Sequence, residues 1–575
     1  MPGTAYKPMV GMVLLACLAG GCTKGLEART KPAAAHPEEP AVPAHISGTI
    51  AEYAMLVGGT DLAVQGYGLV AGLGTNGSRE VPAYLKDYFS QLFRKSGALS
   101  ARSGEGGLSS RVILGDPDTA VVDVYGVIPP GAPSGTRFDV FVTAAAETQT
   151  RSLDGGVLLM QAEMYLAVPE SMVGRRSRVL AEAEGTVLVN PFLDPDNTDD
   201  LPKLRQGRIV GGGRSLGPRP IRLQLFRGDY QLCGLIQRRI NERFGPRRVA
   251  VAKDDSTIDV SVPQQYGEDY EQFLRLLMHL PVRQAVGNWE NKAREIAEAM
   301  ESSAANHEEL SLVWEAIGKQ VVPTVRKFYG SASPSAAFYA ARTGMRLGDA
   351  DAVPVVVDFA RKDGSSLQLV AIEELGRHSR TAKAVAALRE LLDSDNQLVR
   401  IAAYESLVKV GDAARITRVP VKDQFDLDVV QCTGQPVIYV SQSLQQRIVL
   451  FGGDIPVHRP VFFKAPEEVV VISAAGAEDK LTAYRKVPGT SKYSDTFQVD
   501  PTVRALVELL GTLPRPAGKA DVFGLGLTYG QVVSVLYKMC KTGDIPAEFR
   551  LQVLPEVGRI YRAAPIAGRP DMPGQ

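Results

Sequence analysis

The sequence predicts an α+β protein in which β-rich modules are split by an all-α block. Three observations carry that prediction. Short apolar runs punctuated by glycine fill the first half, as in Met55-Leu56-Val57-Gly58 and Gly66-Tyr67-Gly68-Leu69-Val70-Ala71-Gly72, which is strand-and-turn patterning. Residues 287–415 change to helical periodicity with a faint repeat of roughly 32 residues. After them β-patterned runs return. A length of 575 residues suggests about four domains at roughly 150 residues each, and 45% hydrophobic with 22% charged residues is the composition of an ordinary globular chain.

In chain order, Lys7 precedes an apolar stretch over residues 9–18 that is too short to span a bilayer, and Ala19-Gly20-Gly21 then lead to Cys22. That is the layout of a secretory signal, expected over residues 1–22. Leu18-Ala19-Gly20-Gly21-Cys22 resembles a bacterial lipobox, with Ala19 where the motif prefers leucine. The resemblance implies lipidation of Cys22, and Thr23 in place of aspartate favours the outer membrane; a plain cleaved signal is the alternative. Residues 23–45 carry Pro32, Pro37, Pro40 and Pro43 and read as a tether, reaching roughly 70 Å or less at about 3.1 Å per residue.

Residues 46–286 form the first folded region. Residues 50–81 read as short strands and turns. Tyr84, Leu85, Tyr88, Phe89, Leu92 and Phe93 recur at helical spacing after Pro82, so an amphipathic helix with a core-facing aromatic stripe follows. Alternating runs at 120–125 and 137–142 predict half-buried strands, as do 155–160 and 185–189. Residues 223–226 read as a strand, 230–244 as a helix, and 250–252 and 257–263 as strands, which suggests a small α+β module.

Three motifs in this region resemble the bacterial flagellar P-ring family. The first is Gln65-Gly66-Tyr67-Gly68-Leu69-Val70-Ala71-Gly72-Leu73. The second joins Gly135-Thr136-Arg137-Phe138-Asp139-Val140 to Ser152-Leu153-Asp154-Gly155-Gly156-Val157. The third runs from Arg239-Ile240-Asn241-Glu242-Arg243-Phe244-Gly245 to Leu280-Pro281-Val282. Gly66, Tyr67, Gly68, Leu69, Gly72, Gly135, Thr136, Asp139, Gly155 and Gly156 are taken as its signature positions.

Within 287–415, Val353 and Phe359 correspond to Val385 and Leu391, and Ala371-Ile372-Glu373-Glu374-Leu375 to Ala403-Tyr404-Glu405-Ser406-Leu407. Gly348, Gly376 and Gly411 are expected to mark helix ends. This resembles HEAT-type hairpins, which stack to cover one another's apolar faces and leave a surface that commonly binds another protein. Residues 416–556 read as β-patterned runs followed by helices. Tyr529-Gly530-Gln531-Val532-Val533-Ser534 through Gly543-Asp544-Ile545-Pro546 resemble the family's closing segment, so the helical block is read as an insertion into one P-ring-like chain. A flexible tail over 557–575 completes it.

Chemistry is sparse. The glycines at 66, 68 and 72 lack a following lysine and so make a poor phosphate cradle, and Asp194, Asp196, Asp199 and Asp200 lack the glycine and glutamate of a calcium loop. Six scattered histidines and five cysteines show no metal-ligand spacing. No catalytic residue, metal site or cofactor is expected. Formal net charge is zero, against a nucleic-acid binder, yet residues 203–248 carry twelve basic side chains against Asp229 and Glu242. Arg205, Arg208, Arg214, Arg219 and Arg222 are therefore candidates for subunit or cell-wall contact, with a solvated face neutralised within the fold as the alternative. Cys233 reads as a core thiol. A Cys432–Cys540 bridge is conceivable in an oxidising compartment, although three thiols leave one over.

The resemblance implies a structural, non-enzymatic subunit of the basal-body P-ring, a homo-oligomer in the periplasm around the rod that acts as a bushing at the peptidoglycan. Its partners would be copies of itself, rod and outer-membrane ring proteins, peptidoglycan, and a protein bound by the helical block; no nucleic acid is implied. The alternative is an envelope lipoprotein adaptor that keeps the fold and works through its HEAT-like surface.

Overall fold

The computed structural model describes residues 43–96, 113–167, 178–245, 248–267, 269–282, 289–421, 424–465, 469–476, 479–487, 492–514 and 524–553, which fall within one compact unit. Cys22, nearly all of the tether and the 557–575 tail lie outside them.

Strand β1 (Ala54–Val57) is followed by β2 (Leu62–Ala71), helix α1 (Ala83–Ser96), β3 (Thr119–Ile128), β4 (Arg137–Ala144), β5 (Val157–Leu166), β6 (Ala181–Thr186) and β7 (Gln206–Ser215). Strands β2 to β7 close into a barrel in the order β2-β3-β4-β7-β6-β5. Alternation explains the barrel: Val122, Val124, Val140, Val142, Met164, Ala181, Ala183 and Ile209 point inward and are essentially inaccessible, so the interior is a packed core and not a pore. Outside it, Leu85, Phe89 and Phe93 of α1 lie on Leu69 and Val121, as the aromatic stripe predicts.

The expected α+β module follows. Strands β8 (Ile221–Leu225), β9 (Ala250–Ala252) and β10 (Thr257–Val260) join β1 in the order β1-β8-β10-β9, covered by α2 (Tyr230–Phe244) and α3 (Tyr270–Met278). Asp229 caps α2 through the Gln231 and Leu232 amides.

The helical block comprises α4 (Trp289–Met300), α5 (His307–Ile317), α6 (Pro334–Arg346), α7 (Ala352–Arg361), α8 (Gln368–His378), α9 (Ala382–Leu391) and α10 (Gln397–Val410), with short turns between α5 and α6. The repeat register holds: Val353 and Phe359 lie on α7, Val385 and Leu391 on α9, and Ala371–Leu375 and Ala403–Leu407 occupy matching stretches of α8 and α10. Gly348 and Gly411 have φ of +88° and +83° and end turns as expected. Gly376 does not. It sits inside α8, where a Cβ would lie 2.5 Å from the Ser406 side chain, so it permits two hairpins to stack closely rather than terminating a helix.

The closing region builds two sheets. Strands β11 (Ile416–Val421), β12 (Phe425–Val430), β13 (Val437–Val440), β14 (Arg447–Phe451) and β19 (Glu548–Leu551) order as β11-β12-β14-β13-β19, and β15 (Val461–Lys464), β16 (Val470–Ala474), β17 (Leu481–Arg485) and β18 (Phe497–Val499) follow in sequence. Helices α11 (Val503–Gly511) and α12 (Tyr529–Thr542) pack with them; Thr528 and Gln531 form a capping box on α12.

In the five-stranded sheet, β13 and β14 are apolar at every position but Arg447 because both faces are covered. Leu427, Val429, Ile438, Val440, Ile448 and Leu450 face the second sheet and α12, whereas Val430, Val437, Tyr439, Val449 and Phe451 face the helical block. At the block's other end, Leu312 and Ala316 of α5 enter the core of the α+β module. The block is therefore wedged between its neighbours through two shared cores; it does not project as a free arm.

Candidate functional site

The barrel meets the closing region at a joint built around Asp139. Strand β4 slips register against β7 between Phe138 and Val140, a bulge that removes Asp139 from the backbone ladder. Its side chain supplies the missing acceptor: Gly211 N–H donates to Oδ1 at 2.8 Å. The same carboxylate accepts from the Leu444 amide at 2.9 Å and from the Ser443 hydroxyl at 2.6 Å, and Arg208 lies 3.7 Å from Oδ2. One partly buried carboxylate thus ties two strands of the barrel to a loop some three hundred residues later.

Close approach dictates the rest. Gly211 has φ +62°, and a Cβ there would lie 2.3 Å from the Leu444 carbonyl oxygen. Leu444 itself has φ 60°, the only positive φ of a non-glycine residue among those described, a strain of roughly 1–2 kcal/mol. Its side chain is 59% exposed. It borders an open cleft of 540 Å³ whose lining includes Arg137, Glu184, Gly211, Gly212 and Gln446. Such a cleft offers charge pairing and apolar contact to a docked segment. Nearby, Phe192 packs edge-on against Tyr537 and Phe549, with centroids 4.9 and 6.1 Å away, and Leu188 and Val210 enter the closing region's core.

The other signature positions serve the barrel's closing seam. Strand β2 shifts register against β5 between Gln65 and Val70. A Cβ on Gly66 would lie 2.2 Å from the Glu163 carbonyl oxygen, and one on Gly68 2.6 Å from Leu158, so glycine lets the two strands meet. Tyr67 stacks edge-on with Tyr84 and Tyr88, burial pushing the Tyr88 phenol up to about 12; Leu69 is buried beneath α1. Gly72, Gly135 and Gly155 have φ of +85°, +87° and +73°. Gly156 leaves no room for a Cβ beside Val70, and one on Gly155 would strike Gln531 of α12. Thr136 closes its own turn by donating to Pro133 O.

The five candidate arginines of the basic run all have partners within the fold. Arg205 donates to the carbonyls of Ala145 and Thr148, Arg208 stacks on Phe141 at 4.4 Å and donates to Gln442 O, and Arg219 donates to the carbonyls of Ile128 and Thr60. Arg214 and Arg222 pair with Glu182 and Asp259 and keep about half their side chains in solvent. Arg205, Arg208 and Arg219 are thus engaged within the fold, whereas Arg214 on β7 and Arg222 on β8 are paired across strands at the surface.

Cys233, Cys432 and Cys540 are free thiols, and the Cys432–Cys540 bridge is not made. Cys432 packs against the helix-facing core and Cys540 against the core on the sheet's other side, so the sheet itself separates them. Spacing along the chain also proved a poor guide for histidine: His45 and His279 stack at 5.9 Å beside Glu309.

A filled barrel, bonded by its signature carboxylate to a sheet that is also roofed by helical repeats, defines a structural scaffold with a repeat block built into it. Compared with known proteins, residues 49–289 match the model of the family described as flagellar P-ring protein, and residues 365–419 match HEAT repeats. Proteins named flagellar P-ring protein from Sodalis glossinidius and Geobacter metallireducens are 30% identical over 248 residues and 28% identical over 228 residues. These alignments cover 40% and 38% of this chain and 61% and 57% of the relatives. A third, from Nitrobacter winogradskyi, is 28% identical over 239 residues, 39% of this chain and 57% of its own. The chain thus spans less than two thirds of the length of these relatives. The family match takes in the barrel and the α+β module and stops at residue 289. Among the described residues no helix is long and apolar enough to cross a membrane.

Proposed function

We propose that this chain is a structural subunit of the flagellar basal-body P-ring, oligomerising in the periplasm around the rod as a bushing at the peptidoglycan layer, with rod and outer-membrane ring proteins as neighbours. The observation that carries this reading is the family match over 49–289, whose signature positions are used structurally: glycines close the barrel seam and Asp139 builds the joint. The work is mechanical and needs no reacting group. A closed barrel offers no free strand edge, so neighbouring subunits would meet through the other sheets and through Arg214 and Arg222 at the surface. Cys22, where lipidated, would add an outer-membrane anchor.

A second reading, an envelope adaptor that binds a protein through the helical block, draws support from the HEAT match and from Leu369, Val370 and Leu398, which are 37–52% exposed on α8 and α10. Quantitative mass spectrometry of detergent-purified hook–basal bodies separates the two. Tens of copies per basal body are expected for a ring component; absence from that fraction, with recovery among outer-membrane lipoproteins, overturns the ring assignment in favour of the adaptor.

A further inference from the structure

Where the chain enters its folded part, three metal-ligating side chains from distant segments converge. His45 lies in the turn that precedes β1, His279 follows α3, and Glu309 lies in the first turn of α5. One ligand atom from each lies within 4.8 Å of the other two, and His279 Nε2 is 3.0 Å from Glu309 Oε2.

Hydrogen bonding fixes what faces what. His279 Nδ1 lies 2.7 Å from the Arg275 carbonyl oxygen; a carbonyl only accepts, so Nδ1 carries the hydrogen. Nε2 is thereby left facing a carboxylate oxygen 3.0 Å away, a gap that either a proton or a metal cation bridges. A backbone carbonyl orienting one imidazole nitrogen so that the other can ligate is the usual outer shell of a metal-bound histidine.

The remaining contacts fit the same plan. Glu309 Oε1 accepts from Arg275 Nη2 at 3.2 Å, which leaves Oε2 to the centre. Arg275 also donates to Glu308 at 2.9 Å. Lys292, with only 2% of its side chain exposed, donates to Glu295 and to the carbonyl of Ala44, so it holds the backbone just before His45 in place. Both neighbouring cations thus have partners of their own.

We propose that His45, His279 and Glu309 form a site for a borderline divalent cation of the zinc class, with a fourth position open to water. Two imidazoles and one carboxylate are the donor set such an ion takes, at about 2.0–2.2 Å, which puts tetrahedral ligand atoms roughly 3.3 Å apart. The His279–Glu309 separation is already near that value. The bound ion joins the end of the tether, the last helix of the α+β module and the helical block at one point.

The test uses the full chain without a histidine tag, stripped with chelator and titrated with Zn²⁺ alone by calorimetry, with Co²⁺ absorption as a second readout. The expected result is one Zn²⁺ per chain, a Co²⁺ spectrum of tetrahedral type, and binding weakened at least about tenfold in His45→Ala, His279→Ala and Glu309→Gln, since loss of outer-shell partners alone costs roughly 10–100-fold. His45 lies outside the hydrophobic cores, so His45→Ala is expected to retain the native circular dichroism and remains informative even where His279→Ala fails to fold. Absence of stoichiometric Zn²⁺ binding, or binding and Co²⁺ spectra unchanged in His45→Ala, would overturn the proposal and leave a protonated His279 paired with Glu309.

Discussion

Asp139 shows how one side chain can be legible as a motif member and illegible in its role. The sequence marks it within Gly135-Thr136-Arg137-Phe138-Asp139-Val140, where alternation would merely place it on a strand's outer face. Its partners, Gly211, Ser443 and Leu444, carry no local signal that links them to it, because a carboxylate filling a bulge is a property of two strands and a distant loop together. Asp139→Ala leaves the Gly211 and Leu444 amides without their acceptor. It is expected to destabilise the chain by about 2–4 kcal/mol, read as a lower urea midpoint. A change under about 0.5 kcal/mol would show that the joint is held by the Phe192–Tyr537–Phe549 cluster instead. The glycines at turns read more easily: Gly72, Gly135 and Gly155, each with positive φ, flank strand ends as turn chemistry predicts.

At the scale of elements, helices with strong periodicity were legible almost to the residue: the expected helix over 230–244 is α2, and the roughly 32-residue repeat places α7 to α10. Strand β7 was not. Its residues enter the sequence reading only as part of a basic run, whereas close approach requires its glycines: a Cβ would meet the Leu444 carbonyl at Gly211, Ile209 at Gly212 and the Phe138 ring at Gly213. The helical block also contains a buried charge network that periodicity does not reveal. Arg346 bonds Glu374 at 2.9 and 2.5 Å and Glu315 at 3.1 Å, all three side chains being under 9% exposed, and His378 lies 3.8 Å from Glu374. Burial alone would raise the Glu374 carboxyl, but the Arg346 guanidinium holds it at about 2. A carboxyl depressed in the fold stabilises it above the unfolded value of about 4.3 and loses that contribution as pH falls toward 2. The unfolding free energy from urea titration is therefore expected to drop between pH 4.5 and 2 by on the order of 2–3 kcal/mol, and a Glu374→Gln variant, already lacking the charge, to show a shallower slope over that window.

For the whole molecule, what periodicity does not show is that the helical block shares its cores with the modules on either side of it. Deleting residues 289–410 tests this. A pendant arm would leave a soluble remainder. In this fold the deletion uncovers Val430, Val437, Tyr439, Val449 and Phe451, each contributing about 1.5–3 kcal/mol when buried, a sum comparable with the entire stability of a domain. The expected outcome is an insoluble product or one that binds a hydrophobic dye strongly; a soluble, cooperatively melting remainder would contradict the shared-core description. Barrel closure was equally hidden, because which strands pair is decided by long-range register and not by any one strand's pattern.

Strand β19 pairs in parallel with β13, matching Val437–Val440 to Glu548–Leu551 across more than a hundred intervening residues. A chain delivered amino end first, whether emerging from a ribosome or threading a secretion pore, reaches that pairing only after almost everything else has appeared. Until then the β13 flank keeps a row of unsatisfied amides and carbonyls, and the sheet that both the helices and α12 lean on stays unlocked. Final tightening of this sheet thus waits on residues 548–551, and a polypeptide interrupted before them is expected to leave the β13 flank open.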